Sequence, residues 1–135
     1  MKTKLLLPLV LFAAAILSMA FQTDTKPWVV PDKNVKMVNP VKTSPASVSA
    51  GKALYIKNCI DCHGKTGIGN GKKAPDLKST PADMTKPAFQ SQTDGALFYK
   101  ISEGRNDMPR GKKDYPDESD RWNLVNYVRT FGAGK

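Results

Sequence analysis

Both cysteines and the single histidine of this 135-residue chain lie within five residues, Cys59-Ile60-Asp61-Cys62-His63. Two thiols at this spacing on a helical turn can each add to one vinyl group of the same porphyrin, forming two thioether bonds. A histidine directly after the second thiol is then carried beneath the iron, where an imidazole nitrogen can coordinate it. The pattern therefore points to one covalently attached haem c on Cys59 and Cys62, with His63 as an axial ligand. Two other chemistries suit the residue types but not their context. A thioredoxin-like redox pair needs a strand before the cysteines, whereas the residues before Cys59 read as a helix. A structural zinc site needs four ligands, and the chain has no further cysteine or histidine.

The lone histidine also excludes bis-histidine ligation within the chain. The second axial position falls to methionine, another weak ligand, water or nothing. Of the five methionines, Met1 and Met19 lie in a leader-like segment and Met37 precedes the expected domain. Met84 follows His63 by 21 residues and Met108 by 45. Pro109 biases Met108 towards an extended backbone, which holds a long thioether side chain inward from a loop. Met108 is the expected ligand and Met84 the alternative, while filling a gap in the core is the ordinary use of either. Iron held by His and Met keeps no readily vacated site for oxygen or peroxide, which suits electron transfer better than catalysis. No Ser-His-Asp set, acid–base pair or second cofactor motif argues for an enzyme.

Three helical signals position these residues. The first starts at Ser49 as N-cap and runs through Asn58 into Cys59, with Ala50, Ala53 and Leu54 on one face and Gly51 and Tyr55 beside it. The second spans roughly Thr93 to Glu103 and stops at Gly104. The third runs from about Glu118 to Phe131, with Leu124, Val125, Tyr127, Val128 and Phe131 on one arc and Asn123, Asn126 and Thr130 opposite. Trp122 belongs to the core or edge of this helix rather than to a carboxylate-binding role. Nothing alternates like a half-buried strand, so the fold class is all-α. Between the first two helices, residues 64–75 form a glycine-rich loop. Gly67 and Gly71 leave one residue too few between them for a phosphate-binding loop, and Lys73 stands where Ser or Thr is required. Backbone packed closely against a flat ligand is the expectation there.

From about Ser49 to Gly132 the chain resembles a class I (monohaem) bacterial cytochrome c. The resemblance rests on Gly51-Lys-Ala-Leu-Tyr55 before Cys59-Ile-Asp-Cys-His-Gly64, on Ala74-Pro-Asp-Leu77, on Gly104-Arg-Asn-Asp-Met108-Pro109 and on Arg121-Trp-Asn-Leu-Val-Asn-Tyr-Val-Arg129. It implies a cytochrome c-like helical domain wrapped around one haem, a one-electron carrier, and first and last helices that cross at a small residue. It also implies that the carbonyl of Pro75 accepts a hydrogen bond from the other nitrogen of His63, fixing the ring. The first 48 residues and the loop 110–117 lie outside the resemblance.

Residues 1–20 have the layout of a secretory signal peptide: Lys2 and Lys4, an apolar run, then Ser18-Met19-Ala20 as a cleavage site. The alternative is an uncleaved anchor. Residues 21–48 hold four prolines and no lasting period, and read as a Pro-rich linker. A strap over the domain through Trp28, Val29 and Val30 is the other reading. Residues 49–135 form the haem domain. Removing 1–20 leaves 19 basic against 12 acidic residues, a formal +7. An exported protein, periplasmic or membrane-tethered, rarely meets nucleic acid. The charge is thus assigned to a redox partner with an acidic docking surface, and the chain is expected to be a monomer. Lys65, Lys72, Lys73, Lys78, Lys86, Arg105, Arg110, Lys112 and Lys113 fall near the haem-binding segments, either as ordinary solvated surface or as a docking rim.

Overall fold

The structure, a computed structural model, describes residues 26–133; the expected signal segment lies outside the described residues. In chain order the helices are α1 (Asp32–Val35), α2 (Pro45–Asn58), α3 (Ile60–His63), α4 (Pro87–Gln90), α5 (Asp94–Glu103), α6 (Gly111–Asp114) and α7 (Glu118–Arg129). Short 3-10 turns occupy Ala74–Asp76 and Thr130–Gly132. The class is all-α, as the periodicity implies. No helix among the described residues is long and apolar enough to cross a membrane.

Helix α2 starts four residues before the expected Ser49. Ser44 is its N-cap, with extended backbone (φ −151°, ψ 162°). The Ser44 hydroxyl accepts from the Ser47 N–H at 3.1 Å, and the Ser47 hydroxyl accepts from the Ser44 N–H at 3.0 Å. This reciprocal box satisfies two backbone donors. Pro45 counts towards a linker by composition, but at the first helical position its fixed φ is pre-set for the helix and its missing N–H costs nothing.

Helices α2 and α7 cross at Gly51. A Cβ there would lie 2.0 Å from the Asn123 carbonyl oxygen and 2.8 Å from the Tyr127 Cβ, so only glycine permits this approach. One turn on, Tyr55 is almost fully buried. Its ring meets Tyr127 and Phe131 edge-on, with centroids 5.2 and 5.3 Å away, and its hydroxyl donates to the Gly64 carbonyl at 2.7 Å. Leu124, Val125 and Val128 of α7 complete the core with Leu97 and Phe98 of α5. Each such side chain contributes about 1.5–3 kcal/mol by leaving water. Trp122 stacks on Phe98 at 3.9 Å between centroids and 13° between planes, which makes it a core residue.

Asn126 departs from the expected polar face of α7, because it is 2% exposed. Its Oδ1 accepts from Asn39 Nδ2 (2.8 Å) and Thr43 Oγ1 (3.2 Å), and its Nδ2 donates to the Val41 carbonyl (3.1 Å) and Ser47 Oγ (3.2 Å). The amide has partners because the chain before α2 lies across it, which helical periodicity alone does not reveal. The same segment docks on α5. Thr93 Oγ1 donates to the Val35 carbonyl at 2.8 Å, and a Cβ on Gly95 would lie 2.0 Å from the Asn34 carbonyl oxygen. From α1 onward, the expected linker is held to the domain as a strap.

Candidate functional site

Cys59 stands at the break between α2 and α3 (φ −117°, ψ −30°), its N–H bonded to the Tyr55 carbonyl at 2.8 Å. The Cys62 and His63 amides return to the Cys59 carbonyl at 3.2 and 2.9 Å, a single helical turn that brings both thiols and the imidazole together. Gly64 (φ 78°) ends the turn. The glycine-rich loop then folds back on it. Lys73, Gly71 and Gly69 donate N–H groups to the carbonyls of Asp61, Cys62 and His63 at 2.8, 3.1 and 2.9 Å. These carbonyls would otherwise lack partners at the helix end. A Cβ on Gly71 would sit 2.2 Å from the Asp61 carbonyl oxygen, and one on Gly69 would sit 2.4 Å from that of Pro81. Gly69 and Gly71 thus pack against the chain's own backbone and Gly67 against the Phe131 ring, and none of these glycines lines the cavity below.

That cavity, of about 390 Å³, is lined by Cys59, Cys62, His63, Met84 and Met108 together with apolar side chains from α5 and α7. Both cysteines are free thiols. Burial pushes the Cys59 thiol up to about 11, partly offset by a hydrogen bond from Tyr115, so it is protonated at neutral pH. The Tyr115 phenol is itself raised by burial and by Cys59. Burial holds His63 below its ordinary pKa, with the backbone at Ala82 acting the other way. Nevertheless, Nδ1 of His63 is fully buried and has no hydrogen-bond partner. Pro75, assigned by the resemblance to that nitrogen, lies in the 3-10 turn Ala74–Asp76 and makes no hydrogen bond to it.

The two methionines enter the cavity on differently built supports. Met108 closes a tight turn, with the Arg105 N–H to the Met108 carbonyl and the Met108 N–H to the Arg105 carbonyl both at 3.0 Å. Asn106 takes φ 53° within it. Gly104 (φ 61°) lets the carbonyls of Met108 and Pro109 come within 2.4 Å of where a Cβ would stand. Met84 is 7% exposed and belongs to the apolar core. Its N–H bonds to the Gly67 carbonyl at 2.7 Å. It is thereby tied to the loop that holds the His63 carbonyl.

A largely apolar cavity lined by two adjacent thiols, an imidazole and two thioethers fits a haem with covalent attachment and iron ligation. Residues outside the motifs also contribute. Tyr115 comes from the loop 110–117, which carries no sequence motif, and Trp28 and Lys26 come from the strap. Trp28 had a signal, a lone large aromatic in a proline-rich stretch; Tyr115 had none. Among the expected rim residues, Lys72 and Lys73 pair with Asp61 at 3.2 and 3.6 Å, Lys86 with Asp83 at 3.7 Å, and Lys112 with Glu103 at 2.7 Å.

Comparison with known proteins gives relatives of one kind. Over 51 residues the chain is 39% identical to a quinohemoprotein alcohol dehydrogenase from Comamonas testosteroni, covering 38% of this chain and 7% of that protein. Over 86 residues it is 30% identical to the cbb3-type cytochrome c oxidase subunit FixP of Bradyrhizobium diazoefficiens, covering 63% of this chain and 28% of that protein. A chain of the reducing HAO-like protein complex of Kuenenia stuttgartiensis shares the fold, with a TM-score of 0.61 at 24% identity over 78% of this chain and 51% of that one. The chain thus spans less than a third of these curated relatives and about half of the solved chain. Residues 46–128, well over half of the sequence, match the family described as cytochrome C oxidase, cbb3-type, subunit III, and the chain belongs to that family of c-type cytochrome domains.

Proposed function

We propose that the protein is an exported monohaem c-type cytochrome that passes one electron at a time between redox partners. The observation that carries this reading is the convergence of Cys59, Cys62, His63 and Met108 on one largely apolar cavity. Cys59 and Cys62 would hold the haem through thioethers, and His63 and Met108 would ligate its iron. The bound haem supplies the one-electron couple. The chain's own part is to keep both ligands in place through the redox cycle. Support comes from the hydrogen-bonded turn 105–108 and from the loop amides that fix the carbonyls of residues 61–63. Met84 serves as a core side chain. Absorption spectra of oxidised and reduced protein, with extraction of the haem into acid-acetone, test the reading.

A second reading is a haem-bearing subunit of a larger redox assembly, with residues 1–20 as an uncleaved anchor. Its specific support is that the relatives belong to much longer proteins, an alcohol dehydrogenase and an oxidase subunit among them. In either setting the partner is a redox protein with an acidic surface, since the chain is strongly basic. Fractionation of the native compartment separates the readings. A soluble monomer starting near Phe21 supports the carrier, and intact Met1 in a detergent fraction supports the anchored subunit.

A further inference from the structure

Among the described residues, Lys26, Lys100, Arg105 and Asp107 are the only Asp, Glu, Lys or Arg residues lining the cavity. The Asp107 carboxylate accepts the Lys78 N–H at 2.8 Å. Lys100 Nζ and the Arg105 guanidinium both lie 5.5 Å from the ring centroid of Trp28, so the two cations pack against the same ring. Arg105 Nη2 also donates to the Lys26 carbonyl at 2.6 Å, and Lys100 to the Gln92 side-chain oxygen. Neither cation forms an ion pair with a carboxylate of the described residues; the ion pairs there involve Lys72, Lys73, Lys86, Lys112, Arg121 and Arg129. Burial, and secondarily the nearby Arg105 charge, lower the Lys100 pKa.

Holding two cations side by side beneath an apolar cavity is unfavourable unless an anion joins them. A haem brings two carboxylates. Lys26 and Trp28 lie ahead of the matched residues 46–128, so the family domain alone does not provide this arrangement. We propose that the strap completes the cofactor site: Trp28 and the Lys26 carbonyl hold Lys100 and Arg105 as a cation pair, and that pair takes the haem carboxylates. Trp28 is a positioning residue in this scheme, while Lys100 and Arg105 touch the cofactor. The proposal rests on haem occupying this cavity, and the test separates the two.

Holoprotein made with c-type maturation machinery is titrated potentiometrically from pH 5 to 8, with its absorption spectrum as a check on ligation. With His63 bound to iron, the thiols converted to thioethers and Tyr115 kept protonated by burial, the haem carboxylates face Lys26, Lys100, Arg105 and Asp107 as the other ionisable groups of the cavity, and the variants below separate their contributions. In the unmutated protein the cations keep them ionised and the potential is flat with pH. Lys100→Gln and Arg105→Gln should each lower the potential and introduce a fall with rising pH, as a carboxylate without its cation titrates nearer neutrality. Arg105→Lys should recover most of the flat profile, and Trp28→Ala should show a smaller version of the same slope. Lys52→Gln, exposed on α2 and outside the cavity, removes the same charge as a control and should change little. Unaltered, flat potentials in Lys100→Gln, Arg105→Gln and Trp28→Ala with normal haem spectra would overturn this proposal alone. Unmutated protein that fails to acquire haem would overturn it together with the functional reading.

Discussion

Gly51 of α2 lies against the main-chain carbonyl of Asn123 on α7, with 2.0 Å between that oxygen and the place a Cβ would occupy. This contact sets how closely the first and last helices of the domain approach, and so where Cys59 leaves α2. Gly51→Ala cannot be absorbed by a side-chain rotation, since the clash is with backbone. We expect a loss of about 1–3 kcal/mol from overpacking, or more if the helices separate. Denaturant unfolding of the holoprotein should show a lower midpoint with a similar slope. An unchanged midpoint would mean that the crossing is looser than the backbone indicates.

The axial assignment predicts that Met108→Ala abolishes the weak long-wavelength sulfur-to-iron band, lowers the potential and lets cyanide or carbon monoxide bind more readily. Met84→Ala should leave the band and the potential nearly unchanged while destabilising the fold by about 2–5 kcal/mol, the usual result of emptying a buried methionine site. The opposite pattern would transfer the ligand role to Met84.

Asn126 joins the strap to α7 through three side-chain hydrogen bonds, to Asn39, Val41 and Thr43, and reaches Ser47 on α2 with a fourth. Asn126→Leu removes its polar atoms and takes these bonds from half-buried Asn39 and Val41 on the strap and from buried Ser47, costing about 1–3 kcal/mol. Hydrogen exchange should show residues 39–43 losing protection before the rest of the protein. Uniform loss across all helices would argue that the strap and the domain unfold together.

Docking by charge predicts that electron transfer to an acidic partner slows steeply as salt rises. Charge reversal at Lys112 and Lys113 should slow association while the spectrum stays unchanged, and reversal at Lys33 and Lys36 should have little effect. Reversal at Lys72 and Lys73 places acids beside Asp61, their partner in the structure. That pair should therefore report both lost steering and a small local destabilisation. Salt-insensitive rates would return these lysines to ordinary solvated surface.

The chemistry of the site is legible in five consecutive residues because every position in Cys59–His63 has its own task. Helices α5 and α7 are legible because Thr93, Gly104 and Asp117 mark their ends by local hydrogen bonding and backbone geometry. The start of α2 is less visible, since Pro45 looks alike as a helix-starting and a linker proline. The buried amide of Asn126 and the place of Trp28 over the cavity depend on contacts across more than 70 residues of sequence. A periodic pattern carries no information about such pairs. The glycine loop shows the same limit from the other side. Its glycines announce close approach, but only the fold reveals what is approached: the turn bearing His63 at Gly71, the Pro81 carbonyl at Gly69 and the Phe131 ring at Gly67.

The central claim is that Cys59 and Cys62 hold a haem covalently. It is tested most directly by acid-acetone extraction of the mature protein, paired with its intact mass. The account predicts that colour stays with the protein, that the mass exceeds the polypeptide by one haem, and that replacing both cysteines with Ser makes the haem extractable or abolishes the holoprotein. Haem that extracts from the unmutated protein, or a mass equal to the bare polypeptide after c-type maturation, would contradict it.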